Sequence, residues 1–283
     1  MAIFTNQATL TYSGGTVNSN VTTGEILEVL SATKTAVVDT YSQGSEVTYI
    51  VNIINSGNIA YSNLTLTDDL GAYTFDDTTL QPLDYIDGSV KYFIDGVLQA
   101  RPTVTDGPPL VITGITVPAG GEATIAYAVE ANSFAPPTET GTIENTAVVS
   151  GTGIADVTAT ETITATAEPE LSITKSLTPD TVTENGQITY TFVISNTGNA
   201  PAVATDDVVI TDTFDPILSN ITVTYNGTVL TEPDDYTYDE ATGLFTTVAG
   251  VITVPAATFA QDPETGEWTT EPGEAVLTVT GTV

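Results

Sequence analysis

Residues Thr5 to Gly14, TNQATLTYSG, alternate apolar and polar side chains with the period of two that marks a β-strand. A near copy, ENTAVVSG, runs from Glu144 to Gly151. After the copy comes a Thr-rich connector, DVTATETITATA from Asp156, and then a strand opening at Lys175. After Thr5–Gly14 comes a similar connector, NVTTGEILEVL from Asn20, and then a strand opening at Lys34. The spacing from Asn6 to Lys34 nearly equals that from Asn145 to Lys175, and both connectors read as part strand, part link. In mid-chain the strand closes a preceding domain. At the start it precedes a domain instead, and the last domain runs to Val283 without meeting such a strand. This pattern predicts a head-to-tail assembly, with the N-terminal strand of one subunit completing the last domain of the next.

Outward from that stretch, strand chemistry dominates. Thr, Val, Ile and Tyr recur in short alternating runs between Gly, Pro, Asn and Asp turns. No window keeps a helical period over three turns, so the expected class is all-β, built of antiparallel sandwiches. The repeat sets the domains. KTAVVDTYSQGSEVTYIVNIINSGN from Lys34 matches KSLTPDTVTENGQITYTFVISNTGN from Lys175, aligning Gly44 with Gly186, Tyr49 with Tyr190, Asn55 with Asn196, Gly57 with Gly198 and Asn58 with Asn199. Asp68 then matches Asp212. Asp95-Gly96 and Asn226-Gly227 sit in matching hairpins, where such dipeptides favour a tight primed turn. ITVPA recurs at Ile115 and Ile252. The expected boundaries are a donor strand and connector over 1–30, a first sandwich over 31–155, a connector over 156–170 and a second, incomplete sandwich over 171–283.

Composition narrows the function. Four Lys and Arg against 36 Asp and Glu give a net charge of −32, which repels nucleic acid and anionic membranes. With no Cys and no His there are no disulfides, thiol nucleophiles, His-based triads or structural zinc sites. No apolar run reaches the ~18 residues of a membrane span. No secretory leader, sortase-type ending or lipid-anchor ending is read at either terminus, which leaves the export route open. Hydrophobic content of 41% supports packed cores. Acidic pairs such as Asp76-Asp77 and Asp234-Asp235 lack EF-hand spacing and read as solvated loops. The sequons at Asn20, Asn63, Asn220 and Asn226 are assigned no role. No cofactor is expected. Nothing places two carboxylates across a cleft, so no enzyme is expected either.

The combination of Lys-Thr or Lys-Ser, VTYIVNIINSGN or ITYTFVISNTGN, and LTLTDDL or VITDTF resembles the repeat known as domain of unknown function eleven. That resemblance covers nearly the whole chain. It implies immunoglobulin-like sandwiches and a place in bacterial surface or fibre proteins, outside the cell. The departure from the family pattern is the permutation: a closing strand first, a last domain left open.

A second resemblance is to Gram-positive pilin and adhesin domains that carry isopeptide bonds. There a first-strand Lys joins a last-strand Asn beside a proton-shuttling Asp or Glu. Lys34, Asp68 and Asn145 supply that set in domain one, with Asp69 a competing shuttle; Asn145 as a turn or edge residue is the alternative. Domain two offers Lys175 and Asp212, and the matching amide is Asn6 of another subunit. Ala8, Leu10 and Tyr12 are the apolar residues expected to enter the acceptor groove with Asn6. The expected function is therefore structural: a self-assembling extracellular fibre, pilus-like or spore-appendage-like. The alternative is a monomeric adhesin module with its N-terminal strand folded back.

Overall fold

A computed structural model describes residues 2–26 and 28–283. It is all-β apart from one short 3-10 turn at Ala204–Asp206. Two compact units result, Met1–Asn132 with Ile143–Ile163, and Ser133–Thr142 with Thr164–Val283.

The first unit begins with four tail strands: β1 (Ala2–Asn6), β2 (Thr9–Tyr12), β3 (Gly15–Asn18) and β4 (Thr22–Ile26). The single strand expected over Thr5–Gly14 is broken at Gln7 and Ala8, and its two pieces fold back on their own connector. β1 pairs with β4, setting Asn6 opposite Thr22, and β2 pairs with β3, setting Leu10 opposite Val17. Ser19 bridges the break, its Oγ accepting from the Ala8 N–H at 3.0 Å and its carbonyl from Gln7 Nε2 at 2.8 Å. Phe4 lies over Gly24 so closely that a Cβ there would come within 2.3 Å of the ring. Among the described residues these strands pair only with one another, and Phe4, Leu10 and Tyr12 are exposed.

The body of the first unit contains β5 (Leu30–Ala36), β6 (Thr40–Tyr41), β7 (Glu46–Asn55), β8 (Tyr61–Asp68), β9 (Tyr73–Phe75), β10 (Thr78–Leu80), β11 (Leu83–Tyr85), β12 (Lys91–Ile94), β13 (Val97–Leu98), β14 (Thr103–Thr105), β15 (Leu110–Val117), β16 (Glu122–Ala131), β17 (Thr142–Ser150) and β18 (Val157–Ala165). One sheet has the order β13-β12-β16-β7-β5, with β11 also on β16; the facing sheet has the order β14-β15-β8-β17-β18-β6. Alternation drives the packing. Val47, Tyr49, Val51 and Ile53 of β7 point inward, as do Ile143, Asn145, Ala147 and Val149 of β17. Part of the stretch expected as a connector over 156–170 is a full strand of this sandwich. β18 buries Ala159, Ile163 and Ala165, and small or apolar residues every second or fourth place are what a half-buried strand needs. The closing element is thus a pair of strands, β17 and β18.

The second unit repeats the plan with β19 (Leu171–Thr178), β20 (Gln187–Asn196), β21 (Thr211–Thr213), β22 (Ser219–Tyr225), β23 (Thr228–Val229), β24 (Tyr236–Asp239), β25 (Leu244–Thr247), β26 (Thr258–Gln261), β27 (Trp268–Glu271) and β28 (Gly273–Thr282). Its main sheet, β19-β20-β28-β22-β23, reproduces β5-β7-β16-β12-β13 strand for strand. Its facing sheet holds three strands, β21-β25-β24, which match β8-β15-β14. Beyond β21, where the first sandwich has β17 and β18, no strand is paired among the described residues. The β26–β27 hairpin is an insertion that carries Trp268, half-buried and with its indole N–H enclosed.

Both sandwiches are pinned by the same polar staple. Asn55 donates from Nδ2 to the carbonyls of Ile59 and Pro118, both at 2.8 Å, and accepts the Gly57 N–H at 3.0 Å. Asn196 donates to Ala200 at 2.8 Å and Pro255 at 3.0 Å, and accepts the Gly198 and Glu170 N–H groups, both at 2.9 Å. The repeated Asn-x-Gly-Asn is therefore a fold signature, tying a strand end to the ITVP segment. The two hairpin turns also hold: Asp95-Gly96 and Asn226-Gly227 all have positive φ, between 47° and 78°, as a primed turn demands.

Candidate functional site

Lys34 lies mid-strand on β5, Asp68 ends β8, and Asn145 lies on β17. The ladder sets Asp68 opposite Ala147, so Asn145 is two residues along the same inward face. Lys34 reaches across from the other sheet, and its Nζ donates to Asp68 Oδ2 at 2.6 Å with both side chains fully buried. Its ammonium stands 4.6 Å from the centre of the Tyr49 ring. The Tyr127 hydroxyl donates to the same Oδ2, and the Leu70 N–H donates to Oδ1 at 2.9 Å. Asp68 is held from three sides.

Asn145 is the anomaly. It is completely buried, yet neither its amide nitrogen nor its oxygen makes a well-formed hydrogen bond, although the Tyr49 hydroxyl stands near enough to interact with it. The Tyr49 hydroxyl is enclosed as well and likewise makes no well-formed hydrogen bond. Each such group costs about 1–3 kcal/mol, so an idle amide at the centre of a sandwich needs a reason. Asn145 is neither a turn nor an edge residue: β17 runs between β8 and β18.

Electrostatics follow from burial. Desolvation pushes the Lys34 amine below its ordinary value, while the Asp68 carboxylate pulls it partly back. Burial raises the Tyr127 hydroxyl strongly, and Asp68 adds to that. Asp69, the competing shuttle, is also raised by burial. However, its Oδ1 is occupied by the Gly71 and Thr146 N–H groups at 2.9 Å each, which makes it a clamp between turn and β17. Glu161 on β18 is close enough to Lys34 and Tyr49 to act on both.

The second sandwich repeats the pair in the open. Lys175 Nζ donates to Asp212 Oδ2, and the ammonium lies over the rings of Tyr190 at 4.4 Å, Phe214 at 5.4 Å and Phe192 at 5.5 Å. The Lys175 side chain is 39% exposed, where that of Lys34 is at 0%. Leu171, Ile173 and Leu177 share the Lys175 face of β19 and are exposed too, Ile173 to 53%. Their counterparts Leu30, Ala32 and Ala36 are half-buried. The structure thus brings Lys34 to Asp68 and Lys175 to Asp212, and seats Asn145 on the strand beside Asp68. Asn6, Ala8, Leu10 and Tyr12 lie in the tail hairpin or at its break, and all four are exposed.

One participant escaped sequence reasoning. Tyr127 sits opposite Tyr49 on the ladder, and the place it fills is taken in the second sandwich by Val279, opposite Tyr190. Among the described residues no group of three or more Asp or Glu is placed to hold a metal ion, and no helix is long and apolar enough to cross a membrane.

No protein-family model and no curated protein matches the chain. Among solved structures it is similar to a C-terminal fragment of the major pilin of Streptococcus agalactiae, at 12% identity over 86% of this chain and 91% of that one, TM-score 0.37. It is similar to the major pilin subunit of Bacillus cereus at 11% identity, over 96% and 73%, TM-score 0.35. It is also similar to a collagen-binding domain from a Staphylococcus aureus adhesin at 10% identity, over 50% and 99%, TM-score 0.31.

Proposed function

We propose that the protein is a structural subunit of an extracellular fibre, polymerising head to tail as the N-terminal strands of one copy complete the second sandwich of the next. The observation that carries this reading is the internal template. The first sandwich seals its lysine under β17 and β18, while the second leaves the same lysine, the edge of β21 and an apolar strand face uncovered. Proteins ordinarily blunt or cover such an edge. The tail resembles the missing piece in sequence, from Asn6 with Asn145 to Gly14 near Gly151, and it holds no charged side chain from Ala2 to Gly24 in a chain of net charge −32. Burying Phe4, Leu10 and Tyr12 contributes about 1.5–3 kcal/mol each.

The site chemistry supplies a lock. The neutral Lys34 amine attacks Cγ of Asn145; an Nζ–Cγ amide bond forms and the Cγ–Nδ2 bond breaks. Asp68 carries the proton from the amine to the departing nitrogen, which leaves as ammonia. This accounts for a buried amide with no well-formed hydrogen bond and a lysine without water. Between copies the set is Lys175, Asp212 and Asn6. That lock closes only after insertion, because until then the Lys175 amine stays open to water.

Deleting residues 1–26 is the test of the assembly. The shortened protein is expected to sediment as a monomer under conditions where the full chain forms fibres. Fibres of unchanged width from the shortened protein would refute the reading.

A further inference from the structure

We infer that the donor is the whole tail hairpin, β1 to β4, and that β4 is as necessary to the acceptor slot as β1. This rests on the head-to-tail reading above and specifies what enters the groove.

The slot is two strands wide. In the first sandwich β17 and β18 stand side by side between β8 and β6. In the second, β21 takes the place of β8, and Thr181-Val182 takes that of β6 by the same offset that relates Lys34 to Lys175. Tyr41 of β6 is 1% exposed, whereas its counterpart Val182 is 38% exposed. A single strand laid along β21 would occupy one strand spacing, about 4.8 Å, and leave Val182 uncovered. The cover over the lysine points the same way: Glu161, which acts on Lys34, belongs to β18 and not to β17. The apolar face of β19 thus requires the second strand as well as the first.

The tail is already built for this. Its strands are hydrogen bonded in register, Phe4 opposite Gly24 and Asn6 opposite Thr22, with no other partner among the described residues. The second strand also matches in sequence: Asn20, Val21, Thr22 and Glu25 align with Asp156, Val157, Thr158 and Glu161. Glu25 is the first charged residue of the tail in sequence, and it aligns with Glu161, the carboxylate that β18 contributes near the lysine. A hairpin that arrives preformed also leaves less backbone to order on docking than a loose strand does.

Two full-chain measurements test it. In the first, assembly of the intact protein is followed by light scattering with competing synthetic peptides, one of residues 2–13 and one of residues 2–26. The longer peptide is expected to inhibit at a concentration at least about tenfold lower. In the second, Thr22→Pro, which alters β4 and leaves the sequence of β1 unchanged, is expected to abolish fibres as Thr5→Pro in β1 does. Equal potency of the two peptides, or normal fibres from Thr22→Pro, would overturn the hairpin and leave single-strand exchange standing. Inhibition by neither peptide, with fibres from both proline variants, would overturn the donor reading itself.

Discussion

Lys34 and Lys175 hold the same position in two copies of one repeat, and each donates to the matching aspartate, yet one is dry and the other wet. In the proposed chemistry that difference decides which amine is ready to react. It also yields a stability prediction for Asn145→Ala, which cannot form the first lock. Burial lowers the Lys34 amine in the folded state, so between that lowered value and its ordinary 10.5 the unfolded chain binds more protons. Stability of the variant is expected to rise with pH across this window. Tyr49 and Tyr127 are raised by burial, so above about 10 the unfolded chain loses their protons first and stability falls again. Asp68, Asp69 and Glu161 all favour the ammonium and set how wide the rising limb is. Urea midpoints measured against pH check this, and adding Lys34→Met should remove the rising limb. In the otherwise intact protein Asp68→Ala is expected to restore the full calculated mass, one ammonia heavier than the locked chain, on an intact-mass spectrum.

The repeat elements show what a sequence reveals about itself and what it conceals. Asn55 and Asn196 each make bonds to three or four backbone groups, and removing either side chain leaves those groups buried without partners. Asn55→Ala and Asn196→Ala are each expected to lower stability by roughly 2–4 kcal/mol in urea unfolding, at about 1 kcal/mol or more per bond. The same substitution at Asn63, a sequon residue exposed with a left-handed backbone where the register of β8 shifts, is expected to cost no more than about 1 kcal/mol. Alternation and turn chemistry made the strands, the two hairpins and the lysine–aspartate pairs legible. Strand edges were not. Whether 156–170 runs as a link or as β18 depends on a neighbour far away in sequence, β6, and a Thr-rich run suits either role. The break at Gln7-Ala8 was equally hidden, because a period of two continues through it while Ser19 takes up the hydrogen bonds. Tyr127 was missed for the plainest reason: an inward tyrosine looks like core until the carboxylate it grips is placed beside it.

For the whole molecule, charge and assembly pull against each other. Copies of net charge −32 repel at a distance, while in the proposed assembly the part that must approach a neighbour is a tail without charge from Ala2 to Gly24. Added salt is therefore expected to speed polymerisation, steeply below about 0.1 M and little beyond, as followed by light scattering at fixed protein concentration. Once locked, fibres should be indifferent to the same change in salt. The account as a whole stands on Asn6 of one copy meeting Lys175 of the next. Fibres co-assembled from heavy-nitrogen-labelled and unlabelled subunits, then denatured and digested, test it most directly by mass spectrometry of the linked peptides. The account predicts a branched peptide joining the Asn6 segment to the Lys175 segment, one ammonia light, with half of its population of mixed isotope at equal input of the two subunits. Unlinked Asn6 and Lys175 peptides throughout, or a branched peptide found only with both halves of one isotope, would contradict it.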